Sequence, residues 1–336
     1  MKKQLVNGIL AAIVACAFGL SGCNYEAPGD DGHGFGTGGG GSSAADVNGR
    51  LPGKFSVSKD KKVSFSKGNL QYRASSNTWR FAENQYDFVG GTSEKGDYEL
   101  GNVYYSGVKC SNNLISSTYD GWIDLFGWGT SGWASGYPSC MPFNTSMKKE
   151  DYIHGVDLTD DFIHADWGIH NAIVNGGKKP GLWRLLTFDE WDYIRNKRPN
   201  ASKLIGMGGV YDTQCTILLP DNFNLDGITD FQGLVDADYI SFSSYEDYDK
   251  WRADFGKEYD ELEAAGVVFL PKAYYRRGNI VLFGTPYIEY WTSTHYAYNE
   301  GEMGALSMLC HTEYDVAGFM NFVNYGLAVR LVQEIK

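Results

Sequence analysis

Apolar and polar positions alternate along residues 53–73: Phe55 and Val57, then Val63 and Phe65, stand between polar neighbours on either side of SKDKK. Period-two alternation turns one face of an extended chain inward, so the segment predicts a hairpin or two neighbouring strands. NTWRFAENQYDFVG (77–90) places aromatics at 79, 81, 86 and 88 and predicts a strand edge leading into a short helix. From Gly90 to about Asp161 the periodicity is lost among Gly, Ser, Asn and aromatics, and residues 120–140 alone carry three Trp. Irregular stretches of that length inside a domain are usually functional or packed on themselves. Regularity then returns. Residues 166–175 predict a helix, 175–181 (NGGKKPG) a break, 183–186 (WRLL) a short strand and 188–197 a helix. Residues 214–223 predict a buried strand ending at Pro220, and 247–266 a charged amphipathic helix. Segments 267–279, 287–297, 304–313 and 324–335 predict successive strands.

Three carboxylates, Asp189, Glu190 and Asp192, crowd around Trp191 in TFDEWDYI (187–194). Clustered acids suggest acid/base chemistry, but the spacing has a structural explanation. Thr187 and Glu190 stand at the positions of a capping box, in which the hydroxyl takes the amide three residues on and the carboxylate reaches back. Asp189 falls in the first turn, where the helix dipole favours negative charge. Phe188, Trp191 and Ile194, three apart, give the inward stripe. Arg330 shares a strand face with Ala328 and Val332; a buried arginine needs a partner, and Asp189, Glu190 or Asp192 is the expected one.

The N-terminus changes the setting. Lys2 and Lys3 precede an apolar run from Ile9 to Leu20 that is too short to span a bilayer and ends in LSGC. This is a secretory signal over 1–22, and the Leu-Ser-Gly-Cys ending resembles a bacterial lipobox, implying lipidation of Cys23 and a membrane anchor there. Residues 23–50, rich in Gly and Ser, bury too little to fold and read as a tether. Residues 51–336 form the folded part. Without Lys2 and Lys3, 27 of the 29 basic residues face 41 acidic ones, a net −14. That balance excludes a basic nucleic-acid footprint. The 23 Tyr and 9 Trp suit a binding surface as well as a large aromatic core.

Cys110, Cys140, Cys215 and Cys310 remain after the signal and Cys23 are set aside. In an exported chain three pairings are open; Cys110 and Cys140, flanking one loop-rich stretch, are the first expected pair, worth about 3–4 kcal/mol for a loop of roughly 30 residues. No metal or cofactor site is expected. NFNLDG (222–227) begins like a calcium loop, but its twelfth position is Gly233 instead of Glu. His154, His164 and His170 have no zinc-like spacing.

LWRLLTFDEWDYIRN (182–196), VVFLPKAYYRRGN (267–279), YWTSTHY (290–296) and YGLAVRLV (325–332) occur in this order. Together they resemble the formylglycine-generating-enzyme-like (sulfatase-modifying-factor) branch of the C-type lectin fold over about Asp166–Val332. The resemblance implies one α+β domain with paired terminal strands, flanking helices and long irregular loops on one face. The oxidase members of that branch use two cysteines about five apart before the last strand. Here Cys310 is followed five positions later by Asp315, and no H-x-x-x-H spacing serves a metal-dependent alternative. The scaffold is therefore implied without its catalysis.

These readings converge on an outer-membrane lipoprotein, exposed at the surface of a Gram-negative bacterium, that binds an extracellular glycan or protein. The loops Trp128–Trp133, His295–Asn299 and His311–Asn324 are the expected contact regions. They supply Trp128, Trp133, His295, Tyr296, Tyr298, Asn299, His311, Tyr314, Asn321 and Asn324, whose rings stack and whose polar tips adapt. The resemblance extends to retroelement-diversified variable proteins, in which the segment between the YWTST and YGLAVRLV motifs collects ligand-contacting substitutions. A structural or adhesin subunit of a surface assembly is the first alternative, and a degenerate or unrecognised enzyme of the same branch the second.

Overall fold

Phe55–Ser56 (β1) and Lys62–Phe65 (β2) form the hairpin that their alternation predicts, and Phe55, Val57, Val63 and Phe65 turn into the core. The other outer strand of this sheet is the chain's last, Val332–Ile335 (β17), antiparallel to β2 with Val332 opposite Phe65. The two ends of the domain thus close into one three-stranded sheet. The computed structural model describes residues 44–89, 99–104, 107–111, 113–211, 213–224, 255–273, 275–282, 288–296, 304–310 and 319–336. The expected signal, Cys23 and most of the expected tether lie outside them. Residues 44–50, assigned to the tether by composition, are held to the fold: Ala44 N donates to Glu263 Oε2 at 2.9 Å, and Ala45 packs on the core.

Among the described residues, four more antiparallel sheets make this an α+β domain. Leu70–Arg73 (β3) runs between Thr78–Phe81 (β4) and Trp122–Ile123 (β7). Ile205–Val210 (β8), Thr213–Leu218 (β9) and Val268–Pro271 (β10) form a meander with β9 central. Ile288–Tyr296 (β13), Gly304–Cys310 (β14) and Phe319–Phe322 (β15) form another. The largest sheet has five strands. Glu99–Tyr104 (β5) pairs with Gly107–Ser111 (β6), which pairs with Ile280–Leu282 (β12), then Tyr275–Arg277 (β11) and Tyr325–Gly326 (β16). β5, β6 and β7 fall in the stretch expected to be irregular. β5 and β6 pair with each other, but β6 also pairs with β12 and β7 with β3, far along the chain, and local periodicity carries no sign of those pairings.

The helices are short. Trp167–His170 (α1) starts at Asp166, whose carboxylate accepts Gly168 N at 2.8 Å and Leu185 N at 2.7 Å. The helix expected to reach residue 175 stops here because Asn171 is extended. Leu185 gives its amide to Asp166, and only Arg184 of the expected WRLL strand bridges to Val332. Phe188–Asp192 (α2) continues as a π turn over Tyr193–Lys197, covering the predicted 188–197. Tyr259–Ala264 (α3) closes at Gly266, whose φ of 88° and approach to Gly53 exclude a side chain.

The capping box at α2 is complete: Thr187 Oγ1 accepts Glu190 N at 3.2 Å, and Glu190 Oε2 accepts Thr187 N at 2.9 Å. Trp191 is buried against Phe65, ring centres 5.6 Å apart. The partner expected for Arg330 is wrong. Glu190 is taken by both terminal nitrogens of Arg184 at 2.7 Å, and Asp192 by Lys197 at 2.5 Å. Arg330, fully buried, donates instead to Gln85 Oε1 at 2.7 Å and Asn69 Oδ1 at 3.3 Å. Burial lowers its pKa to about 10, opposed by the nearby Tyr290, Tyr259 and Glu263. The expected Cys110–Cys140 bridge is not formed: Cys140 is a free, buried thiol, and Cys110 sits in β6 between Leu100 and Val281. Strand pairing, unlike the loop spacing, fixes where Cys110 goes.

Candidate functional site

Tyr275 and Arg277 are two apart in β11 and so share one face of its sheet. Arg276 between them turns inward, donating to Leu125 O at 3.0 Å, to Asn144 O at 3.1 Å and to Gly278 O. Pairing of β11 with β16 sets Arg277 opposite Tyr325. The Tyr275 and Tyr325 rings stack at 5.3 Å with planes 20° apart, and the Arg277 guanidinium lies 5.1 Å from the Tyr325 ring centre. Phe322, at the end of β15, meets Tyr325 edge-on at 5.5 Å. Lys149 Nζ stands 3.3 Å from the centre of the Phe322 ring. All five side chains are partly exposed.

The segment bearing Lys149 is held here from two sides. Asn324 Nδ2 donates to Met147 O at 2.8 Å. Gly278, with φ 62°, turns β11 into β12 against this segment, and a Cβ there would stand 3.0 Å from Thr145 O. Glu289 of β13 accepts Asn321 Nδ2 at 2.9 Å. Burial raises the Glu289 carboxyl, with the Asn321 hydrogen bond opposing. Burial first, then Tyr325, raises the Tyr275 phenol; Arg277 opposes, and Glu289 adds to the rise. Phenols and two cations therefore share one partly exposed face.

The residues expected to contact ligand divide sharply. Trp128 is wholly buried, its indole donating to Thr292 O at 3.0 Å, so it is core and not contact surface. Trp133 is partly buried, edge-on to Phe162 at 6.4 Å. His295 is drawn to Asp157, which accepts its backbone N at 2.8 Å and lies 2.6 Å from its Nδ1. Tyr296 follows it, partly exposed, at the end of β13. Asn321 and Asn324 are buried, yet both reach the aromatic face, one through Glu289 and the other through Met147. Tyr298, Asn299, His311 and Tyr314 lie outside the described residues.

Phe322 falls within the expected 311–324 region, whereas Tyr275, Arg277, Tyr325 and Lys149 were missed because contacts between segments distant in the chain, not spacing, bring them together. The one legible signal was the Tyr-Arg-Arg alternation at 275–277.

Phe188 N donates to Thr294 Oγ1 at 3.0 Å, and Leu158 N to Ser293 O at 2.8 Å. The TSTH stretch of β13 thereby fastens both α2 and the 152–159 loop. Among the described residues no group of three His, Cys, Asp or Glu could hold a metal ion. No protein-family model matches the chain, nor does any curated protein or solved structure.

Proposed function

We propose that this chain is a surface-anchored, non-catalytic binding protein. Its domain belongs to the C-type-lectin-like, formylglycine-generating-enzyme-like architecture. In this reading Cys23 is lipidated, the glycine-rich segment is the tether, and the domain is displayed from the outer membrane toward an extracellular glycan or protein.

The single observation that carries the binding role is the Tyr275–Tyr325 stack with Phe322 against it, partly exposed and flanked by Arg277 and Lys149. Core aromatics such as Trp79, Trp167 and Trp291 are sealed in, whereas these three keep surface free. Partly exposed, pre-packed aromatics lose little conformational entropy on binding and suit a recognition surface. Cys310 has no second cysteine five residues on, so the chemistry of the oxidase branch is not carried over.

The test is a combined glycan and peptide array probed with the full chain, alongside Phe322→Ala and Tyr325→Ala variants. A hit that both variants lose supports the face. A hit that both retain with full intensity moves recognition elsewhere, and the absence of any hit overturns the binding role.

A further inference from the structure

Resting on that reading, we infer that the face formed by Tyr275, Tyr325, Phe322, Arg277 and Lys149 takes a saccharide unit bearing a carboxylate or sulfate group. Arg277 and Lys149 are the reason. The chain carries 41 acidic and 29 basic residues, so acceptors for a cation are abundant. The cations Lys62, Lys67, Arg184, Lys197 and Arg198 all use them in ion pairs. The side chains of Arg277 and Lys149 make no ion pair or hydrogen bond among the described residues; each meets an aromatic ring, Arg277 over Tyr325 and Lys149 over Phe322. The Arg277 Nε is buried with no hydrogen-bond partner. Leaving a buried donor unpaired is costly, and an incoming anion relieves that cost. The two rings touch, so the two cations flank one aromatic unit.

The neighbouring groups choose between classes of anion. Tyr275 and Tyr325, stacked beside Arg277, each carry a phenolic hydroxyl. A phenol both accepts from a sugar hydroxyl and donates to one. The ligand therefore presents neutral hydroxyls and one acidic group within a small span, over a surface that accepts C–H faces. An acidic sugar has all three features. An acidic peptide has the anion without adjacent hydroxyls.

The experiment is calorimetric titration of the full chain in detergent with trigalacturonate, a sulfated disaccharide, their uncharged counterparts and hexaglutamate. The expected result is that an acidic saccharide binds about tenfold or more tightly than its neutral counterpart. Binding should weaken with added salt and drop about tenfold in Lys149→Gln and in Arg277→Gln. Arg277→Lys, which keeps the charge, and matched thermal midpoints separate lost recognition from lost folding. Equal affinity for acidic and neutral saccharides overturns the anion assignment but keeps saccharide binding by this face. Preference for hexaglutamate overturns the saccharide class. Tight acidic-saccharide binding that survives Arg277→Gln, Lys149→Gln and Phe322→Ala overturns the assignment to this face and the binding role of the face with it. No binding of any saccharide overturns the inference alone, if the array still yields a ligand lost in Phe322→Ala.

Discussion

Arg330 lies at the centre of the domain with its guanidinium 2.7 Å from Gln85 Oε1, so a neutral amide stands where a carboxylate was expected. Gln85 also accepts Phe269 N at 3.0 Å and donates to Val267 O at 3.0 Å and to Glu263 Oε1 at 3.3 Å. It thus relays between a buried cation and a buried acid while satisfying Phe269 N in β10 and Val267 O just before it.

Gln85→Leu removes every one of these bonds and leaves Arg330 with Asn69 as its remaining side-chain acceptor. Truncating one partner of a buried charged network costs about 3–5 kcal/mol. Urea unfolding followed by fluorescence should show the midpoint falling at an unchanged slope. An unaltered midpoint removes Gln85 from the network.

At the start of α2, Thr187→Ala should cost about 1 kcal/mol, the usual value of an N-cap hydroxyl. Glu190→Ala should cost more, since Glu190 closes the box and also holds both terminal nitrogens of Arg184. Equal thermal shifts for the two variants would contradict that division of roles.

Asp221 links Ser56, Lys62 and the wholly buried Arg198. Burial alone would raise its carboxyl, but the bonds from Lys62 and from Ser56 hold it below its ordinary value. Its folded pKa is therefore lower than the unfolded one. The stability it contributes is complete above the unfolded value of about 3.9 and is lost as pH falls through the depressed folded value. Asp221→Asn should be less stable at pH 7 by about 1.5–3 kcal/mol, with the gap closing as pH drops below about 4. Urea midpoints for both proteins at several pH values give the comparison, and a gap that stays constant with pH refutes the ion-pair account.

Cys140 is a free, buried thiol beside Ser139. Alkylation of unfolded, unreduced protein should recover Cys140 in modified form. A cross-linked peptide pair joining Cys110 to Cys140 would show that the strand register around β6 is wrong.

Local signals in the sequence determined what depends on neighbours along the chain. The Thr187–Glu190 spacing fixed a cap because both partners lie within one helical turn. Alternation around Phe55 and Val63 fixed a hairpin because its strands are joined by a short turn. The α+β class and the pairing of the last strand with the first hairpin were also legible, the latter through ordered motifs. Tertiary structure alone decided the partner of Arg330, because Asn69 and Gln85 lie about 250 residues away in the chain. It alone moved Trp128 into the core and left Cys140 unpaired. It alone assembled Tyr275, Arg277, Phe322, Tyr325 and Lys149, drawn from two sheets and a connecting segment. Cross-strand register is set by hydrogen bonding between segments distant in sequence, and no spacing along one segment encodes which residue will stand opposite.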